Sequence, residues 1–120
     1  MITILILMFF AHLVDDYFLQ SCLANLKQKK YWKENAPQSL YKYDYIMALI
    51  CHSLMWSISI SIPLIIYGYF VWWLVPINMI IHAIVDDLKA NRFKINLCID
   101  QSIHFIQVVL TWALCCYWLV

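Results

Sequence analysis

Turn-forming residues are nearly missing from this chain. One glycine and three prolines in 120 residues leave too few breaks for a many-stranded barrel and fit a few long helices. Charge is scarce as well: 12% of residues are charged and 65% hydrophobic, with a mean hydropathy of +0.75. That is too little polar surface to coat a soluble domain of this size. The formal charge of +1 is not arranged as a basic stripe on a soluble face, which excludes nucleic acid as a partner. The five cysteines (Cys22, Cys51, Cys98, Cys115, Cys116) form an odd set with no Cys-x-x-Cys pair, and are expected to be thiols, packed or facing lipid. The first apolar run has no basic segment before it and no small-x-small site after it, and it carries Asp15 and Asp16. It is therefore read as a retained helix and not as a cleaved leader.

What the sequence does contain is four apolar runs, at about residues 2–20, 45–67, 69–88 and 97–119. Each is close to the roughly 20 residues that a helix needs to cross about 30 Å of hydrocarbon. The expected fold is an all-α integral membrane protein, one domain over residues 1–120 built as a bundle of four transmembrane helices, with loops at 21–44 and 89–96 and the lipid bilayer as its surroundings. All eight basic residues lie in those two loops: Lys27, Lys29, Lys30, Lys33 and Lys42 in the first, Lys89, Arg92 and Lys94 in the second. The positive-inside rule places both loops in the cytoplasm and both termini outside, in a multi-pass protein of the cell's inner (plasma) membrane. Aromatic residues gather near the expected interfaces, Tyr31, Trp32, Tyr41, Tyr43 and Tyr45 on the inner side and Tyr67, Tyr69, Trp72, Trp73, Tyr117 and Trp118 on the outer. Pro63 and Pro76 are expected to kink the second and third spans. A bundle this slender also fits a homodimer.

The four histidines fall one to a span: His12, His52, His82 and His104. Counted from the expected cytoplasmic helix ends, each is about 12 to 14 Å deep, so they share a layer. Carboxylates accompany them at helical spacing, His12 with Asp15 and Asp16, His82 with Asp86 and Asp87, and Asp100 with His104, so that imidazole and carboxylate lie on one helix face. These faces extend into polar stripes: His12, Asp16 and Gln20; Asn78, His82, Asp86 and Lys89; Asn96, Asp100, His104, Gln107 and Thr111. Hydrogen bonding between helices is the simplest account of such a stripe. It returns only about 0.6 to 2 kcal/mol per bond, whereas a charged residue at bilayer depth costs about 2.5 kcal/mol or more. Five carboxylates therefore point to a divalent cation, which takes His and Asp ligands together. The ligand count suits one or two ions, zinc ahead of manganese or iron. The thiols lie off the stripes, Cys51 turning away from its neighbour His52 around the helix.

The strings His12-Leu-Val-Asp-Asp16-Tyr-Phe-Leu-Gln20, His52, His82-Ala-Ile-Val-Asp86-Asp-Leu-Lys89 and Asp100-Gln-Ser-Ile-His104 resemble, over nearly the whole chain, a family of uncharacterised small membrane proteins from bacteria and phages. That family is itself similar to the YdjM-like membrane-bound metal-dependent hydrolases. The resemblance implies that His12, Asp16, Gln20, His52, His82, Asp86, Lys89, Asp100, Gln101 and His104 occupy the family's patterned positions, with Asp15 and Asp87 as additions of this chain. A weak internal repeat, His12-x-x-x-Asp16 and His82-x-x-x-Asp86 each before a basic loop, suggests two helix pairs about a pseudo-twofold axis along the membrane normal.

The favoured function is a metal-dependent hydrolase acting from the cytoplasmic leaflet on a phosphoester, a lipid headgroup or a nucleotide. His12, His52, His82 and His104 are the expected ligands, with Asp16, Asp86 and Asp100 dividing ligand and catalytic-base roles. Lys89 and Arg92, with Gln20 and Gln101, are the expected substrate contacts, although both cations also serve as topology-setting charges. The alternative is a transporter, channel or sensor that binds metal or relays protons through the same layer. Its weakness is the thin polar content beyond that layer. A purely structural membrane module leaves the histidines unexplained.

Overall fold

The computed structural model describes residues 1–119. Helix α1 runs over Ile2–Val14 and continues as a wider π turn, Asp15–Leu19. Two short helices follow, α2 at Leu23–Leu26 and α3 at Lys29–Asn35, then a single 3-10 turn at Ser39–Tyr41. The long helices α4 (Asp44–Ile66), α5 (Leu74–Ala90) and α6 (Leu97–Ala113) complete the chain, α6 ending in a second π turn, Leu114–Trp118. There is no strand among the described residues.

Three stretches, Ile2–Leu19, Ser39–Ile66 and Leu97–Trp118, are long and apolar enough to cross a membrane. Helix α5, with 17 residues and with Asp86, Asp87 and Lys89 near its end, falls short of that standard. The apolar run expected at 69–88 is helical only from Leu74. Pro76 is the third residue of α5, where a backbone N–H has no intrahelical acceptor, so it helps start the helix instead of kinking it as expected. At the end of α4 the chain's one glycine takes φ +77°. Gly68 N–H bonds the Ile65 carbonyl at 3.2 Å and Tyr69 N–H the Leu64 carbonyl at 2.8 Å. This paired closure of a helix end requires a left-handed residue.

The four long helices pack in a ring, α4 against α5 and α1, α6 against α5 and α1. Trp112 Nε1 near the end of α6 donates to the Met1 carbonyl at 3.0 Å, while Lys89 at the end of α5 meets Asp100 at the start of α6. Neighbours are therefore antiparallel, and the ring sets α1 diagonal to α5. The closer packing of α1 on α4 than of α5 on α6 makes the two helix pairs unequal. The molecule measures 49 × 26 × 22 Å.

Burial is inverted relative to a water-soluble bundle. On α5 the buried residues include Asn78, His82 and Asp86, while Ile77, Ile80, Ile81 and Ile84 are exposed. On α1 it is Ile2, Ile6, Leu7, Phe10 and Leu13 that face outward and His12 that is fully enclosed. An apolar core of Ile4, Met8, Trp56, Ile60, Leu64, Val108 and Cys115 fills the end of the bundle away from the lysines.

The lysine-rich segment 21–44 is folded, and it is pinned to the end of α5. Asn91 Nδ2 donates to the Lys27 carbonyl at 3.0 Å and Asn91 Oδ1 accepts from Lys29 N–H at 2.7 Å. Trp32 Nε1 donates to the Leu26 carbonyl at 2.7 Å, closing α3 onto α2.

Candidate metal centre

Each long helix brings one imidazole inward at its own register, and the four rings converge with no exposure to solvent. The His82 ring stacks on His104 with centroids 4.1 Å apart, and those of His52 and His82 are separated by 5.0 Å. Trp56, one turn beyond His52 on α4, lies flat against His82 at 4.3 Å and closes the layer on the apolar side.

Two carboxylates meet these rings. His52 Nε2 lies 3.1 Å from His82 Nε2, 3.4 Å from Asp16 Oδ1 and 3.4 Å from Asp86 Oδ2. His82 Nε2 is 3.7 Å from each of the same two oxygens. Around a tetrahedral ion with ligand bonds of 2.0–2.1 Å, ligand atoms are spaced by about 3.3 to 3.4 Å. Five of the six spacings of such a four-atom set, 3.1 to 3.7 Å, bracket that value. Two ion-sized groups, Asp16–His52–His82 and His82–Asp86–His104, share His82; His104 Nε2 is 3.3 Å from Asp86 Oδ1 and 3.4 Å from Asp100 Oδ1.

Tautomers sharpen this. When His52 Nδ1 carries its proton toward Asp15 Oδ1, 3.9 Å away, a neutral ring leaves Nε2 as a lone pair facing two carboxylate oxygens. Such a point takes a cation, or the Nε2–H of a neutral His82 3.1 Å away. Of the seven buried side-chain polar atoms without a hydrogen-bond partner among the described residues, five belong to this cluster: Asp15 Oδ1, Asp100 Oδ1 and Nδ1 of His52, His82 and His104. The donor set is nitrogen and oxygen, and it fits a divalent ion of the zinc or manganese kind.

His12 stands apart from the ligand groups. Its Nδ1 accepts from Trp56 Nε1 at 2.8 Å, so its Nε2 carries the proton and donates to Gln101 Oε1 at 3.1 Å. Gln101 then donates through Nε2 to Asp16 Oδ2 at 3.1 Å and Asp100 Oδ2 at 3.0 Å. This relay orients two carboxylates from a neutral imidazole. Gln20 donates to the Asp16 carbonyl within the π turn and accepts from Lys27.

Three participants were not among the sequence-derived site residues. Lys27, which caps the end of the short helix α2, is 5% exposed and places Nζ 2.6 Å from Asp86 Oδ2 and 3.0 Å from Gln20 Oε1. Read along the sequence it is one of five loop lysines; only the folding of 21–44 separates it from the rest. Asp15 is fully buried, accepting from Ser59 Oγ at 2.7 Å with Oδ2 and facing His52 with Oδ1. Its spacing of three from His12 carried that signal, and the π turn lets Asp15 and Asp16 both face inward. Trp56 had no sequence signal beyond its size.

The lysines also alter the charge argument. Asp86 is paired with Lys27, Asp100 with Lys89 at 2.7 Å, and Asp87 with Arg92 at 2.9 Å. Four buried carboxylates (Asp15, Asp16, Asp86, Asp100) thus face two ammonium groups. Two negative charges are left over, what one divalent cation or two imidazoliums would neutralise. Arg92, 63% exposed in its side chain and held by Asp87, lies outside the opening that leads to the centre. That opening is a 70 Å³ cavity lined by Asp16, Gln20, Lys27, Asp86, Lys89 and Gln101, among others.

No curated protein and no solved structure matches this chain. Residues 4–119 match the family described as Protein of unknown function (DUF3307), and the chain belongs to that family.

Proposed function

We propose that this protein is a membrane-embedded metal-dependent hydrolase that works from the side of its basic loops on a phosphoester. The observation that carries the reading is the convergence of Nε2 of His52 and His82 with Asp16 Oδ1 and Asp86 Oδ2 at ion-ligand spacing, at the base of a cavity rimmed by two lysines. The outward-facing isoleucines and the buried polar layer support a bilayer as solvent, since water would favour the reverse. Helix α5 serves as a short fourth span with the aromatic stretch 69–73 at the outer interface, and the positive-inside rule sets the lysine-rich segments in the cytoplasm.

In this reading His52, His82, Asp16 and Asp86 would hold the ion, with His104 and Asp100 alongside, and it would supply Lewis-acid polarisation and activation of water when bound. Asp100, free on Oδ1, is placed to accept a proton, and Gln101 fixes its orientation. Lys27 and Lys89 neutralise phosphoryl oxygens at the cavity mouth by turning from their carboxylates to the substrate, and Gln20 steadies Lys27. The opposite half of the bundle supports a one-sided site over a transport path: Asn78, Gln107 and Thr111 bond one another, Nδ2 of Asn78 donating to Thr111 Oγ1 at 3.1 Å and Nε2 of Gln107 to Asn78 Oδ1 at 2.9 Å.

The test is metal analysis of detergent-purified protein beside His82→Ala, followed by phosphoester turnover of wild type and Asp100→Asn. About one or two ions per chain, absent from His82→Ala, with turnover lost in Asp100→Asn, is the expected result. Protein purified without chelator that holds no metal would sink the centre; bound metal without turnover would favour the transporter or sensor.

A further inference from the structure

The segment 21–44 carries a second concave site, away from the histidines. A cleft of about 410 Å³ is lined by Lys29, Lys33 and Lys42, with Trp32, Tyr41, Tyr43 and Tyr45 among its walls. Its lining contains no acid. Among the described residues these three ammonium groups have no carboxylate partner, whereas neighbouring Lys30 lies 3.8 Å from Glu34. The aromatic rings order them: Lys29 Nζ lies over the Tyr45 ring, 4.9 Å from its centroid, Lys42 Nζ over Tyr43 at 5.3 Å, and Trp32 stacks on Tyr41 at 6.2 Å. Backbone anchoring by Asn91 and by Trp32 holds the cleft in shape.

Position supplies the ligand. Tyr45 belongs to the first turn of α4, which the membrane reading places where the span enters the headgroup layer. Beside the cleft Leu40, in the Ser39–Tyr41 turn, is 77% exposed, an apolar tip for the acyl boundary. Three unpaired cations, aromatic walls and an interfacial depth match an anionic phosphodiester at the headgroup end of a lipid.

We propose that this cleft binds the anionic headgroup of a phospholipid in the leaflet on the basic side. The proposal rests on the membrane part of the function above and is independent of the metal centre. It also gives the protein a fixed seat at the headgroup plane.

The experiment titrates full-length protein in detergent micelles with short-chain phosphatidylglycerol, short-chain phosphatidylcholine and inorganic phosphate, counting bound molecules by native mass spectrometry. Phosphatidylglycerol is expected to bind about tenfold or more tighter than phosphatidylcholine. The triple change Lys29→Gln, Lys33→Gln, Lys42→Gln should abolish that preference, the corresponding three changes to Arg should keep it, and Lys30→Gln should leave it intact. Equal binding of the two lipids, a triple Gln variant that retains the preference, or full competition by inorganic phosphate at equal concentration would overturn the lipid assignment. Protein that stays monodisperse without detergent would overturn the membrane reading itself, which separates the two failures.

Discussion

The two ends of the bundle bury polar groups in opposite ways. At the apolar end Asn78, Gln107 and Thr111 bond one another, and Ser57 and Ser61 donate to carbonyls four residues back on α4 at 2.9 and 2.7 Å. All of these are neutral, and each donates to a partner within the protein, with Gln107 Oε1 left without a donor of its own. At the basic end the buried groups are charged or titratable, and their acceptors crowd a common point. Neutral side chains can close a helix interface by pairing, because each brings donor and acceptor together. Carboxylates bring only acceptors, so their burial needs cations: Lys27 and Lys89 supply two, and the remainder defines a site.

The most direct test of this contrast is metal removal. With a saturating ion at about 100 times its Kd, binding adds roughly 2.7 kcal/mol to the folded state. Chelation should therefore lower Tm by several degrees and metal should restore it, while His52→Ala or His82→Ala becomes indifferent to chelator. Next is Asp86→Asn, which leaves Lys27 charged and enclosed without its carboxylate, a loss on the order of 3 to 5 kcal/mol. Lys27→Met in the same chain should recover much of it; additive losses in the double variant would break the claim that this buried pair acts as a unit.

Smaller effects separate the two ends. Trp56→Phe keeps the packing against His82 but removes the donor to His12 Nδ1, with an expected cost of about 1 to 3 kcal/mol in chemical denaturation. Metal content should persist, because His12 acts through Gln101. Thr111→Val, at the apolar end, should cost about 1 kcal/mol and leave metal stoichiometry and turnover unchanged. A change in metal content there would erase the distinction between the ends. Smallest is Arg92→Ala, which removes an exposed pair with Asp87 for about 0.2 to 1 kcal/mol; turnover reduced far beyond that would return Arg92 to the substrate contacts expected from sequence.

Much of this was legible in the chain itself, because helical periodicity is local. Steps of three and four along α1, α5 and α6 are enough to set His12, Asp16, His82, Asp86, Asp100 and His104 on inward faces, and hydropathy alone marks the long helices. The start of α5 was not legible: residues 69–73 are as apolar as a helix, and only the closure at Gly68 and the tolerance for Pro76 in a first turn move the boundary to Leu74. Nor was the division of labour among like residues. Four histidines at one depth read alike, yet only the tertiary structure brings Trp56 and Gln101 to His12 and so occupies both its nitrogens. Five loop lysines likewise read alike, until Asn91 pins α2 and directs Lys27 into the core while Lys29, Lys33 and Lys42 stay outside. Which residues turn inward follows from helix geometry within a few positions; which partner each one meets depends on contacts between residues as far apart as Lys27 and Asp86, and those exist only once the helices have packed.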